Sequence, residues 1–595
     1  MQHIQGVQYE SVNPSYLEQR QLRKSAGLLL LWALGVGAVI SGNFFGWNFS
    51  LATGGIGGLA FATILMAILY ICMVYCIAEL STAMPHAGGF YSFARSAFGP
   101  WGGFIIGVTD TIEYVLTPAV IVVGIGSYLN TLYPMVPEYI WWIGAYTLSI
   151  SLNILGTRLT LWVGLGLTLL SIGVLISFYS GALLSGAFQW ELAFNVPPLP
   201  GQTDLLPAGW YGVFISIPYA IWFFLAIEQL PLAAEEARDV RRDMPRSLFF
   251  GMGTLLVLAF CTLLLNSGVG GGALAIGASS APLIDGFSSF IAGSMPTLVI
   301  TLIALSGLAA SFHTIIYAYG RVIFSMSRAG YYPRWMSITG TRTNTPHFAL
   351  MVGGGIGLVA AWLIDTFGSS GVGATLLNMA VFGAVLSYIG VMASYIKIKR
   401  DRPDMERPYT SPLGVSGAAV GIVLAVLALV ATIAAPEYRP GVIGVIITLG
   451  LAILYFATYS SRHLVAQAPE EHNALTLERR IAELQVALDK ARVARLHVEQ
   501  IMTARANAVR AVIHDLNHSA QAVQAALDLW VMDMEAANVE TPMLERGHLR
   551  LQAALDQQKI CCLRCAMRLC SKVMHWCCIH LPPIWARWCS KLCSR

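Results

Sequence analysis

The chain has 595 residues, 56% of them hydrophobic and only 11% charged, against about 25% charged in soluble domains, which argues against a water-soluble enzyme of this size. A net charge of +4 gives no electrostatic basis for nucleic-acid binding. The charges are also uneven: 38 of the 68 lie in residues 1–460 and the other 30 in the last 135 positions, so a long apolar body precedes a charged extension.

In chain order, residues 1–24 read as a cytoplasmic N-terminal segment. A membrane-spanning helix needs about 20 mostly apolar residues. Runs of that kind fall near 27–50, 58–83, 101–131, 138–156, 160–186, 209–234, 247–270, 293–326, 347–366, 372–397, 413–435 and 440–460, so twelve spans are predicted within a body of residues 25–461. No basic leader with a cleavage site precedes the first run, which is therefore read as a retained span. With the N-terminus inside, 18 of the 19 Lys and Arg residues of the body fall on the inner side and Arg439 alone outside. This is the positive-inside pattern of an inner (plasma) membrane protein with both termini cytoplasmic. Three scattered cysteines in the body, Cys72, Cys76 and Cys261, suggest no disulfide framework.

Two spans are interrupted. The first carries Gly35, Gly37, Ser41, Gly42, Asn43 and Gly46 in mid-span; the sixth carries Pro218 and an acid, Glu228. Irregular backbone is tolerated at membrane depth only where it lines a cavity. Interruptions at corresponding positions of two five-helix halves are expected of an inverted-repeat transporter with its site between broken helices. Glycine-mediated helix packing is the plainer account of either cluster alone. The expected substrate-binding residues are Ile40, Ser41, Gly42, Asn43, Phe44, Phe45, Trp222, Phe223, Leu225 and Glu228. Intramembrane acids are costly and functional by default, so Glu228, Asp110 and Glu113 are candidates for coupling to a driving ion, proton or sodium. Asp110 and Glu113 are three apart and share a helical face. A carboxyl that merely caps the broken helix is the plainer role for Glu228. Aromatics beside the breaks (Phe44, Phe45, Trp47, Trp222, Phe223, Phe224) suit cation–π contact with an ammonium as well as ordinary packing. Glu79 reads as a gate or packing acid, His313 as a core histidine. The cluster Arg238, Arg241, Arg242, Arg246 with Glu235, Glu236, Asp239 and Asp243 reads as a topology signal and inner gate. No metal constellation, cofactor motif or nucleophile–base set stands out, so the chain is not expected to be an enzyme.

Three motifs in register carry a family resemblance: Gly35–Trp47 (GVGAVISGNFFGW), Ala78–Arg95 (AELSTAMPHAGGFYSFAR) and Trp222–Pro245 (WFFLAIEQLPLAAEEARDVRRDMP). Over roughly residues 20–460 the chain resembles permeases of the amino acid–polyamine–organocation superfamily, most closely the ethanolamine permease branch. The resemblance implies an all-α fold of five plus five inverted helices, discontinuous helices 1 and 6, two further helices, and import of a small amine, ethanolamine or a related amino acid, by alternating access. Many members of that branch have an acid where this chain has Asn43. Some relatives use a lysine of the fifth span for proton coupling, where this chain has only Arg158 at the span's mouth.

Residues 470–558 read as cytoplasmic coiled-coil-like helices. Leu477, Ile481, Leu484 and Leu488 form a short heptad stripe; Val509, Ile513, Leu516, Ala520, Val523, Leu527 and Trp530 form a second, a surface for self-association through 509–530. His514 and His518 lie on that helix and faintly resemble a phospho-acceptor helix, which leaves a permease-like nutrient sensor as the competing function. The basic tail 559–595 holds eight of the 11 cysteines. It admits lipidation, the start of a zinc site at Cys562 and Cys565, or an unselected end.

Overall fold

Runs of Leu, Val, Ala and Gly in a bilayer can satisfy their backbone only as helices, and helices account for nearly all of the body. The computed structural model describes residues 2–4, 6–13, 15–291, 296–367, 372–434, 439–537, 545–561, 564 and 568. The long helices in chain order are α1 Leu28–Val39, α2 Leu51–Ala83, α3 Phe90–Leu132, α4 Glu138–Leu155, α5 Thr157–Leu184 and α6 Gly209–Ala220. They continue with α7 Val240–Ser267, α8 Thr297–Arg328, α9 His347–Phe367, α10 Val372–Asp401, α11 Gly414–Ala434, α12 Arg439–Thr458 and α13 Pro469–Ala536. The protein is an all-α multi-pass membrane protein. Ten stretches among the described residues are long and apolar enough to cross a membrane, against the twelve predicted. One stretch, Leu28–Ala83, is 56 residues long and contains both α1 and α2. The 18-residue α4 is not among the ten; its tryptophans and tyrosines make it less apolar.

Glycines and prolines set the breaks. Gly99 has φ +79° just before Pro100, dividing α3 into a short first part and a longer membrane segment. α1 gives way to a 3-10 turn at Ile40–Asn43, and Gly46 (φ +92°) precedes a second 3-10 turn at Asn48–Ser50. Pro218 lies in the last turn of α6, where it removes a backbone donor. A 3-10 turn follows at Ile221–Phe223, then Ala226 in the left-handed region (φ 83°), then a 3-10 helix Ile227–Glu236.

The packing repeats between the two halves: α1 lies on α7 as α6 lies on α2, α3 on α10 as α8 on α5, and α3 and α8 on each other. The start of α1 and the end of the sixth segment are side by side, with Ser25 N and Ala26 N donating to Glu236 O at 2.8 and 3.0 Å and Arg238 N to Ala26 O at 2.8 Å. Two short helices, Gly272–Ala278 and Pro282–Ser288, connect α7 to α8.

A small sheet joins the two ends of the body. β1 (Gln2–Ile4) pairs antiparallel with β2 (Val7–Glu10), which pairs in parallel with β3 (Leu464–Val465). The chain divides into two compact units between Leu477 and Glu478. In the second unit a groove of about 200 Å³ lies between Ile513, Leu516, Ala520 and Val523 of α13 and Leu555, Gln558 and Lys559 of the helical stretch 545–561. Four residues of the second heptad stripe thus line a groove together with a segment of their own chain. Apart from Cys561, the cysteines of the tail lie outside the described residues.

Candidate functional site

The two breaks meet. Gly42 lies so close to the carbonyl of Trp222 that a Cβ would stand 2.0 Å from that oxygen, so only glycine permits the approach. Ser311 of α8 supports the first break from both sides: its hydroxyl accepts from Ser41 N at 3.0 Å and donates to Gly37 O at 2.9 Å. Thr262 of α7 donates to Asn43 Oδ1 at 3.0 Å, fixing an amide that is fully buried. Around the contact, Phe45 lies 6.4 Å from Trp222 and Trp47 5.4 Å from Phe223, centroid to centroid. Ile40, Ser41, Asn43, Phe44, Trp222, Phe223 and Leu225 are all buried. On the side of the short α7–α8 helices, a crevice of about 10 Å³ lies between Phe44, Phe45, Tyr128, Leu283, Ala304 and Leu308, room for about one water.

Glu228 holds the second break. Its Oε1 accepts from Ala226 N at 3.0 Å and from the hydroxyl of Tyr388 in α10. Tyr388 is in turn 2.8 Å from the hydroxyl of Tyr70 in α2, whose ring lies 5.4 Å from Phe224. Gln229 donates to Leu34 O of α1 at 2.9 Å, tying the breaks a second time. Asp110 and Glu113 of α3 are buried to 2% and 1% exposure and lie beside Glu228, so the three acids expected from sequence share one neighbourhood. His313 is a core residue with Nε2 3.1 Å from Thr160 O. Among the described residues no group of three or more His, Cys, Asp or Glu is arranged to hold a metal.

Farther along, at the face carrying both ends of the body, acids and bases of distant sequence interlock. Glu236 takes Arg321 of α8 at 2.7 Å and the hydroxyl of Tyr317; Glu235 takes Arg328. Glu79 joins Tyr395 (2.8 Å), Lys399 (3.2 Å), Arg407 (3.1 Å) and Ser411 N (2.8 Å). Of the acids in the predicted 235–246 cluster, Glu235 and Glu236 thus point inward, while Asp239 is exposed and accepts from Arg242 N at the start of α7. Its Arg241 is exposed and meets exposed Glu406 at 3.2 Å, a contact of small energetic consequence.

Sequence reading missed Tyr70, Tyr388, Ser311, Thr262 and Gln229. All but Gln229 lie outside the two broken segments, and a lone Ser, Thr or Tyr in an apolar run gives no signal of its partner. Gln229, beside Glu228, was within reach as an intramembrane polar residue.

The sequence profile of the amino acid permease family matches residues 27–457. The chain is 28% identical over 340 residues to an uncharacterized transporter of Rhizobium meliloti, covering 56% of this chain and 71% of the other. It is 24% identical over 426 residues to the branched-chain amino acid permease BcaP of Bacillus subtilis (66% and 85% covered). It is also 24% identical over 395 residues to an L-asparagine permease of Streptomyces coelicolor (62% and 76% covered). With that match running from the start of α1 to the end of α12, the chain belongs to the amino acid permease family of the amino acid–polyamine–organocation superfamily, and is a transporter rather than an enzyme.

Proposed function

We propose that the protein is a secondary active transporter that imports a small ammonium-bearing solute, ethanolamine or a related amino acid, across the inner membrane by alternating access. The carrying observation is the closure of the two breaks, where Gly42 meets the Trp222 carbonyl and Glu228 stands as the one acid within residues 40–47 and 218–228. Broken helices expose backbone donors and acceptors that a solute can use, and the aromatic rings around them suit an ammonium. In this reading helices 1 to 5 and 6 to 10 form inverted halves, α11 and α12 follow, and twelve crossings leave both ends cytoplasmic. The β2–β3 pair supports an even number of crossings, because it joins the segment before α1 to the segment after α12. Asp110, Glu113 and Glu228 form the coupling group for a proton or sodium ion. Uptake of labelled ethanolamine and amino acids into proteoliposomes, under an imposed proton or sodium gradient, tests the reading. Gradient-driven accumulation of at least one solute is expected, and saturable binding without accumulation would move the protein to a sensor.

A further inference from the structure

We propose that Glu470 and Glu471, the acids opening the C-terminal helix, form with strand β2 a latch that holds the termini-bearing mouth of the transporter shut, and that opening this mouth requires its release.

Both acids are buried, at 1% and 0% exposure, although they occupy the first turn of a helix that is otherwise highly charged. Glu471 Oε2 accepts from Tyr9 of β2 at 2.8 Å and from Arg95 of α3 at 2.7 Å; its Oε1 accepts from Tyr331, just past α8, at 2.9 Å. Arg95 also donates to the Tyr9 hydroxyl at 2.9 Å. Burial, and then the Glu471 carboxylate, push the Tyr9 hydroxyl well above its ordinary range, so it remains a donor. Glu470 accepts from Arg328 at 2.6 Å and from Ser325. Arg328 also grips Glu235 at the end of the broken sixth segment, and Glu235 accepts from Ala87 N at 3.0 Å. One connected set of charges therefore links β2, the start of α3, the end of α8, the sixth segment and the first turn of α13. Further bonds back it up: Val465 N donates to Ala329 O at 2.9 Å and the Ser460 hydroxyl to Tyr331 O at 2.9 Å.

A path from the breaks to this face must move the 3-10 helix Ile227–Glu236 away from α8, which parts Glu235 from Arg328. While Glu470 and Glu471 are seated, that motion exposes or strands buried charges, and separating one partner of such a pair is costly. If the acids lift away together with β2, the mouth is free to open. This inference rests on the alternating-access reading above.

The test uses the full chain with Ser92→Cys, a buried position three residues before Arg95. A membrane-impermeant maleimide is applied from each face of reconstituted vesicles, with the parent chain as background. Glu470→Gln with Glu471→Gln should speed labelling by on the order of ten-fold. Tyr9→Phe with Tyr331→Phe, which keeps every charge, should speed it several-fold and decides the matter if the first pair fails to fold. A chain ending after Leu477 should label like the full chain, and one ending after Val465 like the double glutamine variant. Unchanged labelling from both faces, in monodisperse latch variants, overturns the latch. Faster labelling from the extracellular face would support the latch and overturn the assignment of the termini to the cytoplasm. Faster labelling in a protein that accumulates no solute would support the latch and overturn the transport reading.

Discussion

Glu228 performs two tasks that substitution can separate. Its Oε1 caps the break by accepting from Ala226 N, and its charge is the proposed partner of a substrate ammonium or coupling ion. Glu228→Gln leaves an amide oxygen to accept from Ala226 N but removes the charge. Membrane insertion and thermal stability should therefore survive while uptake is lost. Wild-type uptake kinetics in the purified variant would reduce Glu228 to a cap. Gly42→Ala attacks the same contact from the other side. The added Cβ would collide with a backbone carbonyl rather than a yielding side chain, and overpacking of this kind costs about 1–3 kcal/mol. Helix 1 must then withdraw from Trp222, so lowered thermal stability and loss of uptake are expected together; retention of both would show that the breaks need not touch.

The bend of the first span was legible because glycine acts locally. Gly35 to Gly46 predicted an interruption within the first span and Pro218 one within the sixth; the helical geometry changes at Ile40 and Ile221. What holds the freed backbone was not legible, because Ser311 is 270 residues from Ser41 and reaches it only once α8 lies against the break. Ser311→Ala would leave Ser41 N and Gly37 O without that hydroxyl, at about 1–3 kcal/mol for each buried group left unsatisfied. A lower melting temperature and a raised KM are expected. A change in stability alone, with transport constants intact, would make Ser311 a purely structural support. The second heptad stripe shows the same limit from the opposite side: its apolar spacing was readable, but not that residues 545–561 of the same chain would lie along it. Nothing in the sequence sets Glu470 and Glu471 apart from ordinary acids of a first helical turn, where acids favour the helix dipole. Arg95, 376 residues from Glu471, could be matched to them only in three dimensions.

At the scale of the whole molecule, the distribution of charge bears on what is carried. Basic residues of the body concentrate near helix ends, and the broken segments 40–47 and 218–228 contain no Lys or Arg but do contain Glu228. A substrate carboxylate at the breaks would have only backbone amides and small polar groups for partners, and Ser41 N is already engaged by Ser311. An ammonium would have a carboxylate and several aromatic faces, the latter worth about 0.5–2 kcal/mol. Ethanolamine needs only the second kind of partner, whereas a zwitterionic amino acid needs both. In competition against a labelled substrate, ethanolamine should therefore rank above zwitterionic amino acids, and anionic ones should compete least. Amino acid permeases are well represented among the relatives, so the opposite ranking is a concrete alternative. If only amino acids compete, their carboxylate must be held by backbone donors of the first break, and Asn43, fixed by Thr262, becomes the side chain placed to read the α-substituent.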